Sequence, residues 1–162
     1  MIISGNRVAT RYIRPCNCNR QLQGVVTGGM PYGNKSLHFG HVGGMFVHAD
    51  IFARFLRDRI GEENVIFVSG TDCYGSPIKE AYRKLKESGY EGTIEEYVLS
   101  NHEKQKKTLQ DYKISLDIFG ASAFGKTGIM HSRFSAEVFN RLYENGYIEK
   151  LSTLQFFDEE TD

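Results

Sequence analysis

The segment that most limits the fold is NVIFVSG, residues 64–70. It is a continuous β-branched and aromatic run of strand length, without the alternation of a strand that has one wet face. Such a run predicts a strand buried on both faces. On either side of it the hydrophobic period changes. From about Gly40 to Ile60 the residues Val42, Met45, Phe46, Ala49, Phe52, Ala53 and Leu56 recur at helical spacing, and Gly61 supplies a stop. Ser76-Pro77 opens a second helix, to about Glu87, with proline suited to its first turn. Earlier in the chain, Gly24–Thr27 reads as a short buried strand that runs into the turn Gly28-Gly29-Met30-Pro31. Thr93 with Glu96 forms a capping-box signature for a helix through about Asp111. LDIF, 116–119, is a weaker strand; Phe134, Val138 and Leu142 mark a last helix closed by Gly146, and YIEKLSTLQFF looks extended. Alternating strands and helices predict an α/β fold, a parallel sheet with crossover helices. About three strands would leave an edge and much helix surface uncovered.

The formal net charge is zero, so no global basic field argues for nucleic acid. The charge is uneven, however. Residues 1–49 hold five Lys/Arg (Arg7, Arg11, Arg14, Arg20 and Lys35) and no Asp or Glu. An acid-free, Arg-bearing start is one property of transit peptides, yet no long Ser-rich amphipathic helix is written there. Residues 1–23 are therefore expected to form an N-terminal tail. No apolar run approaches the roughly 18 residues of a membrane span, so a soluble, cytoplasmic protein with no membrane partner is expected. Cys16-Asn17-Cys18 is too short a loop for a disulfide and lacks the second ligand pair of a zinc site.

The chemistry is concentrated in PYGNKSLHFGH, 31–41. In an open parallel sheet, ligands bind beyond the carboxyl ends of the strands, where the chain turns into a helix. Residues 28–41 fall at such a place. A helix N-terminus there offers unpaired N–H groups to a phosphate. His38 and His41, three apart, would lie on one side of the opening turn and both donate to phosphate oxygens. Gly40 between them removes a side chain, so a flat purine could approach the backbone. The arrangement suits nucleotidyl transfer, in which charge develops as a carboxylate attacks an α-phosphate. Helix capping is the alternative role for two such histidines.

These residues resemble the first signature of class I aminoacyl-tRNA synthetases, the "HIGH" motif, here His38-Phe39-Gly40-His41. Pro31-Tyr32-x-Asn34 is most similar to the methionyl branch, as is GTDCYGSPI, 70–78, to that branch's G-T-D-E-H-G-x-P-I. A softer match is His131 followed by a helix and Glu144-Asn145-Gly146-Tyr147-Ile148. The resemblance covers about residues 24–158 and implies a Rossmann-like domain of nucleotidyl-transferase type. Residues 24–150 would be the first half of that catalytic domain and 151–162 the truncated start of a connecting insertion. It implies Gly29, Met30, Tyr32 and Asp72 at the amino acid, and His38, Gly40 and His41 at ATP, which comes with Mg2+. His38 and His41 would be the catalytic pair. The implied reaction joins an amino acid, methionine foremost, to AMP and then transfers it to tRNA. The lysine loop, a zinc site and the tRNA-binding domains would lie in the remainder of the synthetase, outside this chain. The chain alone is expected to be nearly inactive and prone to self-association. Lys35 stands where the family usually has glycine, and Cys73-Tyr74 replace Glu-His.

Two rival readings remain. GASAFGKT, 120–127, fits the P-loop pattern through Gly120, Gly125, Lys126 and Thr127, with LQFFD, 154–158, as a Walker B-like strand. That would make a nucleotide hydrolase, but it leaves HFGH and GTDCYG unexplained, and Gly128 weakens the helix that should start at the lysine. We read 120–128 as a Gly-rich surface loop with a solvated Lys126. The other rival is a non-catalytic synthetase-like binding module. Lys104, Lys106 and Lys107 read as a solvated helix face, and His48 and His102 as structural or surface residues.

Overall fold

The structure, a computed structural model, describes residues 23–152 and 154. All of the tail expected over 1–23 except Gln23, with Cys16 and Cys18, and nearly all of LQFFD lie outside the described residues. Three strands, β1 (Gly24–Thr27), β2 (Val65–Thr71) and β3 (Ile118–Ala121), form one parallel sheet in the order β1-β2-β3. The β-branched run thus takes the central place, pairing Val26 with Phe67 on one side and Val68 with Ile118 on the other.

One helical run fills the first crossover: α1 (Phe39–His41), a π-helical turn (Val42–Phe46) and α2 (Val47–Ile60). It stops where expected, with Gly61 at a φ of 89°, a conformation that costs glycine little. The second crossover holds α3 (Ser76–Glu87) and α4 (Ile94–Asp111), and α5 (Gly125–Glu144) follows β3. The capping box read at Thr93 and Glu96 is formed, with Glu96 N–H donating to Thr93 Oγ1 at 3.1 Å and Thr93 N–H donating to Glu96 at 2.8 Å.

The main core joins Val26 and Phe67 of the sheet to Phe46 and Ala53 of the first helical run and to Leu109 and Ile114 at the end of α4. A smaller core, Cys73, Ile78, Val98 and Ala121, lies at the carboxyl ends of the strands. Three expectations need correcting. The central strand is fully buried on one face only: Val65 and Phe67 are covered, while Ile66 and Val68 are half-buried. The third strand is IFGA rather than LDIF, because Asp117 turns back to accept the Phe67 N–H at 2.7 Å and so ends the approach to the sheet. Residues 120–128 are not a surface loop. Gly120 and Ala121 belong to β3, and α5 begins at Gly125 and runs through Gly128. Gly128 is buried so closely on Ala123 that a Cβ there would lie 2.5 Å from the Ala123 carbonyl carbon.

A buried polar knot fixes the helical run to the α4–β3 connection. Asp50 accepts from Arg54 Nε at 2.7 Å and from Ser115 N–H at 2.7 Å, and it also accepts the Ser115 hydroxyl. Arg57 donates to Ser115 Oγ at 2.7 Å and to the Ser115 carbonyl at 3.1 Å. Burial pulls the Arg57 pKa down to about 10, against the opposing pull of Asp117 and Asp50. The guanidinium therefore remains charged at neutral pH.

Candidate active site

The turn after β1 is pressed onto the sheet. Gly28 N–H donates to Val68 O at 2.9 Å, and a Cβ on Gly28 would meet the Phe46 ring at 2.9 Å. Next, Tyr32 and Asp72 pair as a parallel bridge beyond the strand ends, through Asp72 N–H to Pro31 O at 2.9 Å and Gly33 N–H to Asp72 O at 2.7 Å. This puts the turns after β1 and β2 side by side. Asp72 Oδ1 accepts from Tyr74 N–H at 3.1 Å, which closes a local turn.

HFGH opens the helical run. His38 is its N-cap, with its Nδ1 accepting from Gly40 N–H at 3.1 Å. Three residues on, His41 Nδ1 accepts from His38 N–H at 3.3 Å. This is a capping box in which two histidines replace the usual Ser/Thr and Glu/Gln. Their rings stack with centroids 3.8 Å apart. Because each Nδ1 is an acceptor, each neutral ring carries its proton on Nε2. Capping and ligand donation are therefore compatible: one nitrogen holds the helix and the other remains a donor. Burial, then His38, then Lys35 lower the His41 pKa from its ordinary value, which favours that neutral donor. Gly40 matters here too, since a Cβ on it would lie 3.1 Å from the His38 ring. The first turn contains no acid, so the positive end of the helical run is left for an anion.

An open cleft of about 280 Å³ is lined by Gly29, Met30, Pro31, Tyr32, Lys35, His41 and Met45. It joins three of the four residues expected at an amino acid to one of the expected histidines. Asp72 borders it through the Tyr32 bridge; His38 and Gly40 lie one helical turn back, at the cap. Lys35 and Met45 were not expected as lining. Met45 carried a helical-period signal for the core, but Gly29 N–H donates to its Sδ at 3.1 Å. In the π-helical turn, Met45 lines the cleft while its neighbour Phe46 is buried in the core.

A protein-family model described as tRNA synthetases class I (M) matches residues 24–162. The chain belongs to this family. The Methionine--tRNA ligase of Pyrococcus abyssi is 40% identical over 135 residues, covering 83% of this chain and 17% of that protein. The Methionine--tRNA ligase of Cytophaga hutchinsonii is 33% identical over 141 residues, 86% of this chain and 19% of its own. Among solved structures, Mycobacterium tuberculosis methionyl-tRNA synthetase in complex with methionyl-adenylate matches with a TM-score of 0.64 and 24% identity, over 75% of this chain and 22% of that one. That likeness speaks for the fold, a Rossmann-like α/β sheet. The chain thus spans less than a fifth of the length of the two curated synthetases.

Behind the cleft, α4 holds the segment that carries it. The Tyr97 hydroxyl donates to Asn34 O, Asn101 Nδ2 to Gly33 O at 3.1 Å, and Gln105 Nε2 to Tyr32 O at 2.9 Å and Lys35 O at 2.8 Å. Four consecutive carbonyls are tied to one helix. Gln105 Oε1 accepts from the Thr71 hydroxyl at 2.8 Å, so the Thr71 oxygen must accept from His102 Nδ1–H at 2.8 Å. His102 is buried, and that burial lowers its pKa. At the same carboxyl end of the sheet, on the β3 edge, the rival P-loop segment has its threonine hydroxyl engaged by the protein itself: Thr127 Oγ1 lies 3.2 Å from both the N and O of Ala121. A Cβ on Gly120 would already meet Thr127 at 2.9 Å, so the space beside that hydroxyl is filled.

Proposed function

We propose that the chain supplies the HFGH half of a methionine-activating site in a class I aminoacyl-tRNA synthetase. The observation that carries this reading is the stacked His38–His41 pair, capping the helical run through Nδ1 and keeping its Nε2 donors, in a chain that belongs to the family. In the reaction, a methionine carboxylate oxygen attacks the α-phosphorus of ATP. The bond to the bridging oxygen breaks and pyrophosphate leaves. Two neutral Nε2–H donors suit the negative charge that builds on the α-phosphate oxygens, and they are worth more there than in the ground state. Gly29, Met30 and Tyr32 would face the amino acid, with the Asp72 carboxylate at its ammonium group. His38 and Gly40 would border the nucleotide.

Among the described residues, no three His, Cys, Asp or Glu side chains come together to hold a metal ion. On this reading Mg2+ comes with ATP. No helix among the described residues is long and apolar enough to cross a membrane; the reading places the synthetase in the cytoplasm. On this reading residues 24–150 are the first half of the catalytic domain and 151–162 begin a connecting insertion. Transfer to tRNA would need the parts found in the longer relatives, and the 162-residue chain alone is expected to show almost no turnover.

The test is calorimetric binding of a non-hydrolysable methionyl-adenylate analogue to the wild type, His41→Ala and Lys126→Ala. Binding lost in His41→Ala and kept in Lys126→Ala is expected. Loss in Lys126→Ala alone would transfer the nucleotide to the Gly120–Thr127 segment and end the proposal.

A further inference from the structure

Lys35 lines the cleft together with His41, and no carboxylate lines it with them. Its ammonium has no partner among the described residues. The root of the side chain is held, because the Lys35 carbonyl accepts from buried Gln105 at 2.8 Å and the three preceding carbonyls are tied to α4 as well. A long flexible cation on a fixed root, beside a positive helix end whose first turn holds no acid, is suited to a diffuse anion with several oxygens. Asp72, bridged through its backbone to Tyr32, has an oxygen engaged by the Tyr74 N–H at 3.1 Å.

We infer that Lys35 is a second phosphate-binding group of this cleft, pairing with the polyphosphate of ATP beside His41. The inference rests on the nucleotide site proposed above and adds a charged residue to it. It also gives His41 a role division: the lysine carries the charge, and the imidazole remains a neutral donor directed by its own cap. The occupant is a phosphate rather than the methionine carboxylate, because the other donors at this end of the cleft are the Nε2–H group of His41 and, one turn back, that of His38.

The experiment is a titration of the wild-type chain, Lys35→Gln, Lys35→Gly and Lys35→Arg with ATP, adenosine and methionine at low and high salt, each variant first checked for an unchanged melting temperature. Lys35→Gln keeps the stem and removes only the charge, so it serves if the glycine variant loosens the turn. The expected result is ATP binding weakened about five- to tenfold in Lys35→Gln and restored in Lys35→Arg. Adenosine and methionine binding should not change, and the loss should shrink at high salt. Unchanged ATP binding in Lys35→Gln overturns the inference, as does a loss confined to methionine. His41→Ala is run alongside. If it binds ATP as well as the wild type, the nucleotide site itself fails and this inference with it; if it does not, a silent Lys35→Gln removes the lysine's role alone.

Discussion

A histidine that accepts a backbone N–H on Nδ1 has only Nε2 left to donate, and at His38 and His41 this divides the ring into a structural and a chemical end. The division can be tested with side chains that imitate one end at a time. Asparagine places an oxygen near the Nδ1 position and has nothing at Nε2. We therefore expect His38→Asn and His41→Asn to keep the fold, while His38→Ala costs about 0.5–2 kcal/mol in a denaturant titration as a lost cap. Both asparagine variants should lose adenylate-analogue binding; retained binding would return the pair to a purely structural role. His102 behaves differently. Burial lowers its pKa, and its Nδ1–H is committed to Thr71, so folding favours the neutral ring. Above the ordinary histidine pKa of about 6.5 both states are neutral and nothing is lost. As pH falls through that value the unfolded chain takes up protons that the folded chain resists, and stability drops. His41, whose pKa is also lowered, acts in the same window. Urea midpoints measured between pH 8 and 5 should fall with acid, and His102→Gln should flatten part of that slope.

At the scale of elements, the loop that bears the cleft is held by α4 rather than by its own sequence. Tyr97, Asn101 and Gln105 recur at i, i+4 and i+8, and their partners lie at residues 32–35, more than sixty positions away in the chain. Gln105→Ala should cost about 1–3 kcal/mol, because it strands the Tyr32 and Lys35 carbonyls. It should also weaken ligand binding without touching the ligand; an unchanged melting curve would contradict this. In the sequence such a stripe is indistinguishable from a wet helix face, which is why it was not legible. Local signals fared better. The Thr93–Glu96 box, the Gly61 stop and the Ser76-Pro77 start each depend on residues within one turn, and each is found in place. The π-helical turn at Val42–Phe46 left no readable mark, so only the core side of Met45 was legible: it packs against the main core and also lines the cleft. The segment 120–128 misled for a related reason. Its glycines resemble loop residues in composition, yet Gly120 and Gly128 are small because Thr127 and Ala123 press on them.

For the whole molecule, the half-covered sheet has a counterpart in α5. Ile129, Met130, Phe134, Phe139 and Tyr143 of that helix are all exposed, and Gly128 alone of its residues is buried. An apolar surface of this extent on a monomer favours association. The isolated 162-residue chain should therefore bind a hydrophobic dye and elute larger than a monomer, and Phe134→Glu with Phe139→Glu should reduce both. A dye-free monomer would show that the face is covered in some other way. The α/β class and the parallel sheet follow from the hydrophobic run and its flanking helices, but the strand order and this imbalance between faces do not. Ile66 and Val68 read as core whether or not anything covers them.

The central claim is that the nucleotide sits on the Nε2 side of the His38–His41 pair. A long-range 1H–15N spectrum of the histidine rings, taken before and after addition of the methionyl-adenylate analogue, tests it most directly. Both rings should be in the Nε2–H form, with their Nε2 resonances shifting on titration and the amides of Gly120–Thr127 unmoved. Rings in the Nδ1–H form, or shifts confined to Gly120–Thr127, would contradict it.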